Sequence, residues 1–280
     1  MQINHIILNG NLFRYSLYKS CQSESDQVVI FLLGALQDIE SVDSFSRTFS
    51  EHLDCFTIEV PGTGCTKPLD SSISIREQAM MLLDFIDYMD IKKIHVVALS
   101  YATAISVELC CISPYIASLS ICGGVPSIPK SGRYATKQMI SAAMQDVEGF
   151  AKTFTHVMTV ENPDIPQNKA IRKIIERNIS KMTPERIDIF FENTVRLLVH
   201  KPNNINNIKI PCTVCVGEYD PYITKESAFE FSQQLPNCNF VIIKNADHLV
   251  HLEHPEKFSS ILIMQAISSV TIANSLKELA

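Results

Sequence analysis

QVVIFLLG, residues 27–34, is apolar at almost every successive position, and KIHVVALS, residues 93–100, repeats the pattern. A strand with one face in water alternates apolar and polar residues. A strand without that alternation is covered on both faces, which is the condition of a parallel sheet packed between helices. The intervening segments agree. Residues 41 to 53 read as a helix, CFTIEVPGTG as a strand running into a glycine-rich loop, and the segment from Ser74 as a helix whose apolar residues Ile75, Ala79, Leu82, Leu83 and Ile86 share one face. Ser74 can cap that helix while Glu77 reaches back to it. Residues 101 to 112 predict a helix apolar all round, and IASLSICGG a further strand. The N-terminal run INHIILNGNLFRYSLY differs: two β-rich stretches meet at Asn9-Gly10, where both residues tolerate positive φ, so an antiparallel hairpin opens the fold. The fold class is α/β with a mainly parallel sheet flanked by helices.

After Gly124 the alternation stops. Pro126 and Pro129 break the chain, and residues from about 132 to 200 carry helical periodicity but no doubly buried strand, returning through the Pro- and Asn-rich linker KPNNINNIKIP. PCTVCVGEYD, a helix at about 224 to 235, CNFVIIKNADH and a final helix then resume the alternation. The expected organisation is one α/β core in two parts, residues 1–125 and 206–280, interrupted by a helical cap at residues 126–205.

Composition removes several function classes. A net charge of -6 with no Lys/Arg block argues against nucleic acid as a partner. Nine cysteines, an odd number scattered through strands and helices, and an N-terminus without a basic stretch and long apolar core point to a reducing cytoplasm. The longest apolar run, ILIMQAISSVTIA, is interrupted by Gln265, Ser268 and Ser269 and falls short of the roughly 20 residues of a membrane span, so it reads as a packed terminal helix. Cys212 and Cys215 sit three apart on a strand and point to opposite faces, with no second ligand pair following, so neither a metal nor a redox role is expected. Cys110 and Cys111 read as core filler. PGTG lacks the Lys-Ser/Thr of a phosphate loop. No cofactor is expected.

Ala98-Leu99-Ser100-Tyr101-Ala102 ends a strand and begins a helix. A serine in such a tight turn is forced toward strained backbone angles, and its neighbours two before and two after must be small. The alternative is a small polar residue serving only to pack strand against helix. A serine nucleophile needs a base, and the base a carboxylate to fix its tautomer. Asp220 ends a strand in CVGEYDPY, and His248 follows the next strand in IIKNADHLVHLEHPEKF; the chain order Ser, Asp, His is that of a strand-to-helix serine nucleophile. Each has a plainer reading. Asp220 before Pro221 could simply form a turn. His251 and His254 are rivals of His248 but read as surface or packing residues, and Asp247 is badly placed to orient its own neighbour.

The sequence resembles the α/β-hydrolase superfamily, in its serine hydrolase branch. The likeness spans nearly the whole chain and rests on FLLGA, EVPGTGCT, the serine turn, VGEYD and ADHLVHLEHPEKF. It implies Ser100 as nucleophile, His248 as base and Asp220 as orienting acid, with the backbone N–H groups of Ala35 and Tyr101 as the oxyanion hole. The implied activity is cleavage of a carboxylic ester or thioester. This sequence departs from the family pattern in four places: alanine replaces glycine at positions 98 and 102, Leu33 stands where histidine commonly precedes the glycine, and Glu59 where aspartate is common. A serine rather than an aspartate nucleophile discourages the dehalogenase and epoxide hydrolase branches. The run from Asp220 to Cys238 also resembles the rhamnolipid-pathway hydroxyacyl transferases, which would imply acyl transfer from 3-hydroxyacyl thioesters by the same nucleophile. A non-catalytic ligand-binding homologue is the third reading.

The cap residues Tyr134, Met139, Met144, Phe150, Phe154, Met158, Phe190 and Phe191 are sufficient to roof an apolar acyl pocket, although helices over a sheet need apolar faces in any case. Leu36, Phe150, Phe154, Met158 and Phe190 are the expected pocket residues. The expected partner is a small-molecule acyl ester or thioester.

Overall fold

The computed structural model describes residues 1–21 and 26–278, with side-chain surroundings defined as far as 268. β1 (Ile3–Leu8) and β2 (Asn11–Tyr18) form the expected hairpin, with Asn9 and Gly10 at φ 51° and 80°. β3 (Gln27–Leu32), β4 (Asp54–Glu59), β5 (Lys93–Leu99), β6 (Ile116–Cys122), β7 (Cys212–Gly217) and β8 (Cys238–Ile243) complete an eight-stranded sheet of order β1-β2-β4-β3-β5-β6-β7-β8. β2 pairs antiparallel with β1 and β4; all the later pairings are parallel.

The unbroken apolar runs are explained by two cores, one on each face. In β3, Val28, Ile30 and Leu32 belong to one cluster and Val29 and Phe31 to the other; in β5, Val96 and Ala98 oppose Val97 and Leu99. The first face is covered by α2 (Ile75–Tyr88), α3 (Ala102–Ile112) and α8 (Lys225–Ser232), the second by α1 (Asp43–Ser50) and α10 (Pro255–Glu278). α1 is shorter than the 41–53 expected, because residues 40–42 enter it as a 3-10 turn and residues 51–53 leave it as a turn. Ser74 accepts the Glu77 N–H and Glu77 reaches back, as a capping box requires. The packing expected for the apolar run of α10 beyond Ser268 lies outside the described side chains. Among the described residues, no helix is long and apolar enough to cross a membrane.

Between β6 and β7 the chain forms α4 (Arg133–Ala143), α5 (Val147–Met158), α6 (Asn168–Ile179) and α7 (Pro184–Val199). α7 is bound to the core by a buried guanidinium. Arg196 donates to the carbonyls of Ile73 (2.5 Å), Leu69 (2.7 Å) and Asp70 (2.9 Å) and to the Tyr101 hydroxyl at 3.3 Å, and it also bonds Asn193 Oδ1. Asn193 in turn donates to the Gly62 carbonyl at 2.7 Å. After β8, a short α9 (Val250–Glu253) leads into α10.

Candidate active site

In a parallel sheet the loops beyond the carboxyl ends of the strands converge on one edge, which is where ligands bind. Ser100 follows β5, Asp220 follows β7, and His248 lies between β8 and α9. Their side chains meet. Ser100 Oγ lies 3.1 Å from His248 Nε2, and His248 Nδ1 lies 2.8 Å from Asp220 Oδ2. The carboxylate accepts a hydrogen bond from Nδ1–H, which keeps the ring proton on Nδ1 and leaves Nε2 with a lone pair facing the hydroxyl. Asp220 is itself fixed, since its Oδ1 accepts the N–H groups of Tyr222 (3.0 Å) and Ile223 (2.9 Å). One carboxylate oxygen of Asp220 thus holds the turn and the other contacts the imidazole.

Burial alone would push the His248 imidazolium toward lower pKa. The charges of Asp220 and Asp247 outweigh it, and the net shift is upward from the ordinary histidine value. Asp247 does not orient its neighbour: it accepts the N–H groups of Leu249 (3.0 Å) and Val160 (3.1 Å), and its own N–H donates to Glu253 at 2.8 Å. Burial raises the carboxyls of both Asp247 and Glu253, the latter to about 8, and the close pair favours keeping a proton between them.

Ser100 has φ 44°, a left-handed backbone that a side chain adopts only under strain. The alanines at 98 and 102 are both buried, and a close approach that excludes a side chain occurs in a neighbouring loop. It falls on Gly124, beyond β6, where a Cβ would sit 2.6 Å from the Ser100 carbonyl oxygen and 1.9 Å from Thr103 Oγ1. The strained turn at Ser100, the elbow between β5 and α3, thus depends on a glycine supplied by the neighbouring loop.

Ala35 and Tyr101 both line the cavity beside Ser100, and among the described residues neither N–H has a partner within the chain. Glu59 is fully buried between the two loops that precede the cavity. It accepts from Ile39 N (2.9 Å), Cys65 N (2.7 Å) and Arg14 Nη1 (2.7 Å), while burial raises its carboxyl. The glutamate fits where an aspartate is common because Gly64 leaves room for it: a Cβ there would lie 2.1 Å from Glu59 Cδ.

The cavity holds about 730 Å³. Leu36, Phe154, Met158 and Phe190 line it. Phe150 does not. It is fully buried behind the wall, its ring 4.8 Å from that of Phe190 and 5.9 Å from that of Phe154, so it shapes the lining without reaching the space. Phe191 is also off the wall, and Tyr134, on the outer side of α4, and Met144, just beyond its end, face solvent at 73% and 72% exposure. α6 contributes lining that the sequence did not single out, including Ile174, Ile175 and Asn178. Cys212 and Cys215 are buried and unpaired in β7. Among the described residues, Asp38, Glu40 and Cys65 bring possible ligand atoms within 4.8 Å of one another, but Asp38 is paired with Arg186 and Glu40 with Arg14.

His251, read from the sequence as a surface or packing residue, and Gln37, which the sequence did not single out, also belong to the cavity wall. Gln37 Oε1 accepts the Gly34 N–H at 2.8 Å, and its Nε2 lies 3.1 Å from His251 Nε2. His251 packs against the rings of Phe45 and Phe258, which are themselves in edge contact at 4.8 Å. His254 is turned outward, bonding the Asn245 carbonyl at 2.8 Å.

Comparison with known proteins agrees with this architecture. Residues 30–261 match the model of the alpha/beta hydrolase family. The chain is 19% identical to a putative esterase/lipase of Haemophilus influenzae over 89% of this chain and 86% of that one. It is 21% identical to an (E)-2-((N-methylformamido)methylene)succinate hydrolase of Acinetobacter baylyi, over 75% and 78%. Among solved structures, an alpha/beta hydrolase enzyme from a Medee basin deep-sea metagenome library superposes with a TM-score of 0.82 at 17% identity, covering 94% of this chain and 96% of that one. The enol-lactonase of Burkholderia xenovorans superposes at 0.80 and 15%, covering 94% and 99%. With the family model matching more than four fifths of its length, the chain belongs to the alpha/beta hydrolase family of enzymes.

Proposed function

We propose that the protein is a serine hydrolase that cleaves a carboxylic ester or thioester with an apolar acyl group through an acyl-enzyme on Ser100. The observation that carries this reading is the line Ser100 Oγ, His248, Asp220, with contacts of 3.1 and 2.8 Å. Ser100 Oγ attacks the substrate carbonyl carbon as its proton passes to His248 Nε2, and Asp220 holds the imidazolium through Nδ1. The oxyanion is received by the N–H groups of Ala35 and Tyr101, a contribution of about 2.7–4 kcal/mol per donor. The alkoxide or thiolate leaves with the proton from His248. Water then gives its proton to the same nitrogen and attacks the acyl-enzyme, and as the acyl–Oγ bond breaks that proton returns to Ser100 and the acid is freed.

The acyl group occupies the apolar wall formed by Leu36, Phe154, Met158 and Phe190. Residues 126–205 act as the cap over a core made of residues 1–125 and 206–280. The relative named as an esterase/lipase supports the ester class, though at low identity. The nine free cysteines are in keeping with a cytoplasmic setting.

A fluorophosphonate probe tests the reading. Labelling is expected at Ser100 and is expected to vanish in Ser100→Ala; folded wild-type protein that stays unlabelled would favour a ligand-binding role. Product analysis with acyl thioesters, with and without a hydroxylated acceptor, separates hydrolysis from transfer: free acid under both conditions supports the hydrolase, and an acylated acceptor the transferase.

A further inference from the structure

We infer that His251, acting through Gln37, is a positioning residue for the oxyanion loop, taking the place of the histidine that position 33 lacks. The inference rests on the proposed role of the Ala35 N–H. That group belongs to the peptide unit whose carbonyl is Gly34 O, and in a trans peptide the N–H and C=O point in opposite directions, so holding one aims the other. Gly34 is held at both ends by a single residue. Its carbonyl accepts the Gln37 N–H at 3.2 Å, and its own N–H donates to Gln37 Oε1 at 2.8 Å. The amide orientation follows: a backbone N–H can only donate, so the oxygen of Gln37 faces Gly34 and Nε2 faces His251.

Nε2 of Gln37 is a donor, so the ring nitrogen 3.1 Å away must accept, which puts the His251 proton on Nδ1 and requires a neutral ring. The surroundings maintain that state. Burial pushes the imidazole down to about 4, and the charge of His248 acts in the same direction. α1 and α10 present Phe45 and Phe258 to the ring. Leu33, at the position of the missing histidine, is buried in the second core and offers no polar atom. The loop is therefore braced from the far side of the site, by a residue that follows His248 by three positions.

Two substitutions separate positioning from packing because they predict opposite orders. His251→Phe keeps a ring against Phe45 and Phe258 and removes the acceptor. His251→Gln gives up the ring and can present an amide oxygen near the place of Nε2. With p-nitrophenyl butyrate as probe, kcat of His251→Phe should fall about 10-fold, a fraction of the 100-fold or more seen when an oxyanion donor is removed outright. KM and melting temperature should stay close to wild type, and His251→Gln should keep most of kcat.

Gln37→Met, which also removes the acceptor of the Gly34 N–H, should lose at least as much as His251→Phe, and the double variant should be no slower than Gln37→Met alone, since His251 acts only through Gln37. The inference is overturned if His251→Gln is the slower of the pair, if both keep wild-type kcat, or if the losses in the double variant multiply. A wild-type protein that neither turns over the ester nor labels at Ser100 overturns the hydrolase reading itself. Labelling that is intact while the order of the variants is reversed overturns only the role of His251.

Discussion

Replacing Gly124 by alanine introduces one methyl group at the closest approach in the elbow, and the structure gives the size of the resulting displacement. The new Cβ would lie 1.9 Å from Thr103 Oγ1 and 2.6 Å from the Ser100 carbonyl oxygen. Thr103 can yield, because its hydroxyl has no hydrogen-bond partner among the described residues. The carbonyl cannot yield so easily: it accepts the Thr103 N–H at 3.0 Å as α3 begins. Ordinary contact starts at 3.4 Å, so a distance of 2.6 Å leaves a shortfall of 0.8 Å to be absorbed by the backbone of the serine itself. Misplacing a reacting group by about 1 Å costs roughly 100-fold in rate, so kcat on an ester substrate should fall by about that factor. The assay is steady-state hydrolysis, normalised to the fraction of protein labelled by a fluorophosphonate, with circular dichroism to establish folding. Gly10→Ala is the control. Its φ of 80° makes alanine cost about 1–2 kcal/mol of stability, but with nothing within 4 Å the site should not notice. A folded Gly124→Ala protein with wild-type kcat would refute the claim that this glycine holds the elbow open.

Asp220→Asn keeps an oxygen for the N–H groups of Tyr222 and Ile223 but turns an amide donor toward His248 Nδ1, so the ring loses its working tautomer; kcat should drop about ten-thousandfold with folding intact. Because His248 must be neutral to act as base and its imidazolium is held above the usual 6.5, kcat/KM should rise with pH through a midpoint above 6.5, and weakening the Asp220 charge should move that midpoint down. The Glu253 carboxyl, raised by burial to about 8 from 4.5, binds a proton in the folded state that the unfolded chain has released, so stability falls as pH climbs through that window; Glu253→Gln should gain melting temperature relative to wild type as pH increases toward 8. Arg196→Met leaves the carbonyls of Leu69, Asp70 and Ile73 without their donor and should lower stability by about 2–3 kcal/mol, read as roughly 5–10 °C in a thermal melt.

What could be read in advance follows from the range of the forces involved. The strands of the sheet were legible because a doubly covered strand must be apolar at consecutive positions, and Val28 and Val29 do face different cores. Ser100, Asp220 and His248 were legible because each sits at a strand end, where sequence order translates into position along one edge. The brace made by Gln37 and His251 was not, since it joins residues far apart in the chain through one bond, and a lone glutamine in an apolar loop carries no period. Phe150 was misread for a related reason. Helical periodicity says that an aromatic ring faces inward, but not whether it meets the cavity or stands behind Phe154 and Phe190.

The attachment of the four inserted helices is uneven, and this bears on how a ligand enters. α7 is tied to the core along its length, through Arg186 to Leu36, Glu192 to Ser71, Asn193 to Gly62, and Arg196 to three carbonyls. The connection between α5 and α6 meets the His248 loop through the Val160 N–H and Asp247. Ile174 of α6 is both part of the cavity wall and 45% exposed, which marks α6 as the side nearest to solvent. A chain threading into the cavity would have to displace fewer bonds by pushing α6 outward than by lifting α7. Selection for substrates of a different girth should therefore accumulate its substitutions on α6, with the serine and its partners untouched.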